Sequence, residues 1–197
     1  MEDLEPNQKP WKPPYRWFTS AREQWLWLWV FAVFAAIFST LVIGKPLATQ
    51  LRDQNIQALF FGFGLLLVVA AVIVHALKTK PSKMEVALLL GLVAVYIMLI
   101  FRLGAPERSH LIEYSVLAIC IHKALIERAN QRHLVLQPAL LAMAMAFLIG
   151  VLDESIQLLL PHRVFDPEDI VFNGIAVVMA IGSRLLLIWV RTLLGKP

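Results

Sequence analysis

Six apolar runs, each close to the length that crosses a bilayer, alternate with short polar connections along the chain. A transmembrane helix needs roughly 20 mostly apolar residues. The first predicted span covers Gln24 to Ile43, with Lys45-Pro46 as its expected stop. The second covers Ile56 to Leu77, with Asp53 as a candidate N-cap and Gly62 and Gly64 allowing close helix approach. The third opens on Ser82 and Glu85, a capping-box pair, and runs to Phe101. Pro106 and Glu107 suit the first turn of the fourth, which reaches Arg128. Pro138 fits the first turn of the fifth, which extends to Leu160 and stops at Pro161. Asp166-Pro167-Glu168-Asp169 joins a capping acid, a first-turn proline and two further acids, and starts the sixth, which ends near Leu193. The expected fold is therefore all-α: a polytopic membrane helix bundle of about six transmembrane helices.

Composition narrows the class. The chain has 197 residues, 59% of them hydrophobic, which suits one compact bundle. Residues 1–22 form a polar, proline-rich tail, and 23–193 form the membrane domain. No cleaved signal peptide is expected, because the first apolar run is too long and lacks a small-residue cleavage site. Trp25, Trp27 and Trp29 crowd the start of the first span, as an interfacial aromatic belt does. Cys120 is the single cysteine and sits in an apolar run, so no intrachain disulfide forms. His75, His122 and His133 are expected at helix ends near the headgroups.

Net charge is +4, but in a membrane protein its distribution carries the information. The tail, the second-to-third connection (Lys78, Lys80, Lys83), the fourth-to-fifth connection (Lys123, Arg128, Arg132) and the C-terminus (Arg191, Lys196) all fall on one side. Only Lys45, Arg52, Arg102, Arg108 and Arg163 fall on the other. The positive-inside rule then places both termini in the cytoplasm. Basic loops so used imply orientation, and no nucleic-acid partner is expected.

Against this apolar frame, Gly150 to Gly174 is anomalous: five carboxylates, an Arg, a Gln and an Asn between two apolar runs. Charge at the end of a membrane helix is costly unless paired, wet or used. Helical rise places His110, Glu113 and Tyr114 roughly 6 to 12 Å below the outer end of the fourth span. Glu154 lies about 24 Å along the fifth, at the same level, with Gln157 on its face. Asn173 lies about 9 Å down the sixth, one turn below Asp169. Arg163 sits on the loop above them.

These residues resemble a family. His110-x3-Tyr114, Glu154-x2-Gln157, Pro161-x-Arg163 and Asp169-x3-Asn173 are similar to the motifs of the VanZ-like membrane proteins, over residues 102–181. The sequence departs from the pattern at Ala176, where the family has Gly. The resemblance implies a bacterial cytoplasmic-membrane protein acting near the cell envelope. The family takes its name from an accessory protein of glycopeptide resistance, and resistance itself is not carried over.

Four readings follow. The polar groups can be a structural network, with Glu154 paired to Arg163, Asp169 to His110 and Asn173 to Tyr114. They can bind the headgroup of an envelope lipid or lipid-linked glycan, with Arg163 clamping a phosphate and Glu154, Gln157, Asp169, Asn173, His110 and Tyr114 supplying hydrogen bonds; the weakness here is the acidity of the site. They can be catalytic, with Glu154 and His110 as base and acid, although Ser109 and Ser155 lie in no nucleophile elbow. The chain can also be a subunit of a larger membrane complex. No cofactor and no metal is expected: His110, His162, Glu154 and Asp169 come nearest to a ligand set but show no zinc-type spacing. Binding an envelope headgroup is the leading expectation and an assembly role the alternative.

Overall fold

The computed structural model describes residues 17–50, 81–103, 105–132, 134–161 and 165–195, with backbone alone for 42–50 and 105–107. These residues form five helices: α1 (Ala21–Gln50), α2 (Lys83–Arg102), α3 (Ala105–Gln131), α4 (Pro138–Gln157) and α5 (Pro167–Leu193). All five contain a stretch long and apolar enough to cross a membrane. The chain is an all-α, multi-pass membrane protein. The second predicted span, with Gly62, Gly64 and His75, lies outside the described residues, as do residues 1–16.

Helix starts follow local chemistry. Ser82 and Glu85 form the expected reciprocal capping box of α2. Asp166 accepts from the Glu168 amide and Pro167 opens α5. Helix ends follow it less well. Lys45-Pro46 does not stop α1, which continues to Gln50. Proline removes one backbone donor and crowds the carbonyl four residues earlier, yet transmembrane helices absorb that loss because neighbours and local adjustments satisfy the freed groups. α4 ends at Gln157, where the Leu158 amide turns back to the Ile156 carbonyl, three residues before the expected end.

α3 is the hub. It packs against α1, α4 and α5, while α2 rests on α5. Its Leu111, Tyr114, Leu117, Ala118, Ile121 and Leu125 recur at three- and four-residue steps and are all buried. α4 meets it along a stripe of small residues, Ala139, Ala142, Ala146 and Gly150. Small side chains let backbones approach where lipid offers no hydrophobic drive for helix association. The same stripe then changes character: its next members are Asp153, Glu154 and Gln157, all buried. Ala176 is fully buried, and its carbonyl accepts from Ser115 Oγ at 3.3 Å. Large apolar side chains that face outward, such as Leu90, Phe101, Phe147 and Val178, are what a lipid-facing surface requires.

Charge pairs fix the helix directions. Glu23, fully buried at the start of α1, accepts from Arg128 Nε at 2.6 Å at the end of α3, and also from Thr19 and Trp27. Glu85 at the start of α2 accepts from Arg191 Nε at 2.5 Å at the end of α5. His110 and Asp169, near the starts of α3 and α5, meet at 3.6 Å. So α3 and α5 run together and α1, α2 and α4 run against them. One end of the bundle holds Arg128, Arg191 and Lys83; the other holds the polar cluster. Trp25 and Trp29 are 67% and 62% exposed beside the basic end, as belt residues are, while Trp27 is tied to Glu23. His122 departs from expectation: it is buried on α3, within electrostatic reach of Arg184, because it falls on the inward stripe of the hub helix.

Candidate functional site

Three helix ends supply the cluster in two layers. In the outer layer stand His110 of α3, Glu154 of α4 and Asp169 of α5. One turn deeper, at four-residue offsets, stand Tyr114, Gly150 and Asn173. Residues four apart lie on one face of a helix, so each helix presents a pair, and the two layers stack.

The deeper layer is tightly packed. A Cβ on Gly150 would lie 3.0 Å from Asn173 Cβ, 3.2 Å from Asn173 Nδ2 and 3.2 Å from Tyr114 Cε1. Only glycine lets the Tyr114 ring and the Asn173 amide close over α4. Tyr114 is fully buried and its hydroxyl donates to Asp153 Oδ2 at 2.9 Å. The expected Tyr114–Asn173 pairing is therefore replaced by Tyr114–Asp153. Asn173 is also fully buried, and neither atom of its amide finds a hydrogen-bond partner among the described residues.

The outer layer is less closed. Side-chain exposure is 14% for His110 and 18% for Asp169, and their Nε2 and Oδ2 stand 3.6 Å apart, a contact rather than a tight pair. The His110 ring lies nearly parallel to that of Tyr114, with centroids 6.1 Å apart. Glu154 is fully buried. Its Oε1 accepts from Gln157 Nε2 at 2.6 Å. Among the described residues its Oε2 is buried without a hydrogen-bond partner, while the Asp166 backbone amide acts on the same carboxylate. One ligand atom from each of His110, Glu154 and Asp169 can be chosen so that all lie within 4.8 Å of one another. No other metal-competent group of His, Cys, Asp or Glu occurs among the described residues.

Of the expected site residues, the fold brings together His110, Tyr114, Glu154, Gln157, Asp169 and Asn173. Arg163 and His162 lie outside the described residues. Ser155 Oγ is engaged with the Val151 carbonyl of its own helix. Asp153 is the residue that sequence reasoning passed over. Its signal was the periodicity of the stripe: Ala146, Gly150, Asp153 and Gln157 advance by four, three and four. Being next to Glu154 hid that it faces the hub more squarely.

Tyr114→Phe tests whether this hydroxyl is structural. Losing its bond to the buried Asp153 should cost about 1.5–3 kcal/mol. Thermal unfolding in detergent checks it. An unchanged Tm would show that the hydroxyl serves something other than the helix contact.

No protein-family model, curated protein or solved structure matches the chain.

Proposed function

We propose that this chain is a VanZ-like protein of the bacterial cytoplasmic membrane. Its polar cluster faces outward and binds the headgroup of an envelope lipid or lipid-linked glycan. The proposal includes six spans and cytoplasmic termini. The common direction of α1 and α2 supports an even count, because a sixth span between them returns the chain to the end where α2 begins. The basic residues gathered at the opposite end support the orientation.

The observation that carries the reading is Glu154. It is a carboxylate at zero exposure with one oxygen held by Gln157 and the other unpartnered among the described residues. A purely structural network satisfies its members, because a half-satisfied buried polar group destabilises the fold. An oxygen left open beside a partly accessible His and Asp suits a ligand. Arg163, outside the described residues, is the cation proposed for a phosphate. Glu154 and His110 are close enough to act as base and acid on a bound headgroup, so binding followed by modification fits the same groups. The assembly-subunit reading draws its support from the Tyr114–Asp153 bond, which ties α3 to α4 without any ligand.

Arg163→Ala separates the two. Delipidated wild-type protein should gain thermal stability when polar lipids from a bacterial membrane are added back. The gain is about 3 kcal/mol at a hundredfold excess over Kd. The variant should fold as well as wild type and show no gain. Equal gains in both proteins would remove Arg163 from the site, and an unstable variant would favour the structural network.

A further inference from the structure

We propose that His110, Glu154 and Asp169 hold one divalent cation of the Mn2+ or Zn2+ kind. The three ligand atoms lie within 4.8 Å of one another. Atoms bound to an ion at 2.0–2.2 Å sit roughly 3–3.5 Å apart, so side-chain rotations of about an ångström complete the set. One imidazole nitrogen with two carboxylate oxygens is a donor set for borderline cations, not for Mg2+ in its water shell. Three protein ligands leave further positions open, the pattern of a working rather than a sealed site.

Carboxylates gather on protein surfaces without binding anything, and two features set this group apart. First, its central member is not on the surface: Glu154 is fully buried and its Oε2 has no hydrogen-bond partner among the described residues, while Gln157 anchors the other oxygen and so orients this one. Outer-shell bonds of that type commonly fix a metal-binding carboxylate. Second, one turn beneath lies Asn173, fully buried with both amide atoms unpartnered among the described residues, a polar floor for water on the ion. No zinc-type spacing marks the set, because each ligand comes from a different helix; helical rise alone brings the three to one level.

The cation also answers the chief objection to a headgroup site, and in this it rests on the reading proposed above. The neighbouring carboxylates of Glu154 and Asp169 disfavour a phosphate. A divalent ion between them offsets both negative charges and leaves open positions for phosphoryl oxygens.

The test uses the full chain in detergent, stripped with chelator, desalted and titrated with Mn2+ alone. Bound metal is read by elemental analysis and by the Mn2+ electron paramagnetic resonance signal. Wild type should take up one Mn2+ per chain. Glu154→Gln and Asp169→Asn should each lose it, Gln157→Ala should weaken it by about 10–100-fold, and Glu168→Gln, an exposed acid on the first turn of α5, should retain it. A rise in wild-type Tm with Mn2+, reversed by chelator, supports the site even where a variant folds poorly. No uptake by wild type, or equal uptake by both carboxylate variants, overturns the proposal. Inorganic pyrophosphate and phosphatidylglycerol nanodiscs are then offered to the Mn2+-loaded protein. Metal uptake with neither phosphoryl probe bound leaves the cation site standing and sinks the headgroup reading instead.

Discussion

Glu154→Gln should raise the thermal stability of the chelator-treated, delipidated protein while abolishing its ligand. The two effects share a cause. In the wild type a fully buried carboxylate holds one oxygen without a partner, with Asp169 and His110 nearby. An unsatisfied buried polar group costs about 1–3 kcal/mol. Glutamine has the same shape. Its carbonyl oxygen keeps the bond from Gln157, and its amide nitrogen offers a donor to the Asp169 carboxylate in place of acid facing acid. A gain of about 1–3 kcal/mol in thermal unfolding is therefore expected, the sign of a site that trades stability for function. If Glu154 were instead a satisfied member of a structural network, the substitution would lower Tm. The direction of the shift decides between the two.

Gly150→Leu should be the most damaging single change in the helix core. The glycine lies where α4 crosses α3 and α5, and even the first carbon of a side chain would stand 3.0 Å from Asn173 Cβ and 3.2 Å from the Tyr114 ring. Neither neighbour can retreat freely: Asn173 Cβ is fixed to the α5 backbone, and Tyr114 is anchored through Asp153. Overpacking of this kind costs about 1–3 kcal/mol for a small added group, so alanine should lower Tm clearly and leucine should prevent recovery of folded protein. Glycine at the crossing matters more than glycine elsewhere; a Cβ at Gly182 would meet nothing within 4 Å, and Gly182→Ala is the matching control. Normal yield and Tm for Gly150→Leu would mean that α4 does not cross its neighbours at this contact.

Much of this architecture was legible in the sequence, and the reason is locality. Ser82 with Glu85, and Asp166 with Pro167 and Glu168, set helix starts through atoms no more than three residues away, so the pattern alone placed them. Depth was legible too, because helical rise is constant: counting from Pro106, Pro138 and Pro167 put His110, Glu154 and Asp169 at one level before any contact was known. Rotation was not. A step of one residue turns a helix face by 100°, and Tyr114 bonds Asp153 rather than Asn173 because α4 turns Asp153 toward the hub. Long-range partners were equally hidden. Glu85 reads as a capping residue, and its second role, accepting from Arg191 106 positions on, depends on how α2 lies against α5. Pro46 misled in the opposite direction: its local preference is to stop a helix, and the membrane setting overrides it.

The most direct measurement is native mass spectrometry on protein gently extracted from its own membrane, wild type beside Glu154→Gln. A headgroup site predicts a defined phospholipid or polyprenyl-linked glycan riding with the wild type and absent from the more stable variant. The same bulk lipid on both, with a fixed protein partner at constant stoichiometry, would contradict it and make the polar cluster part of an assembly.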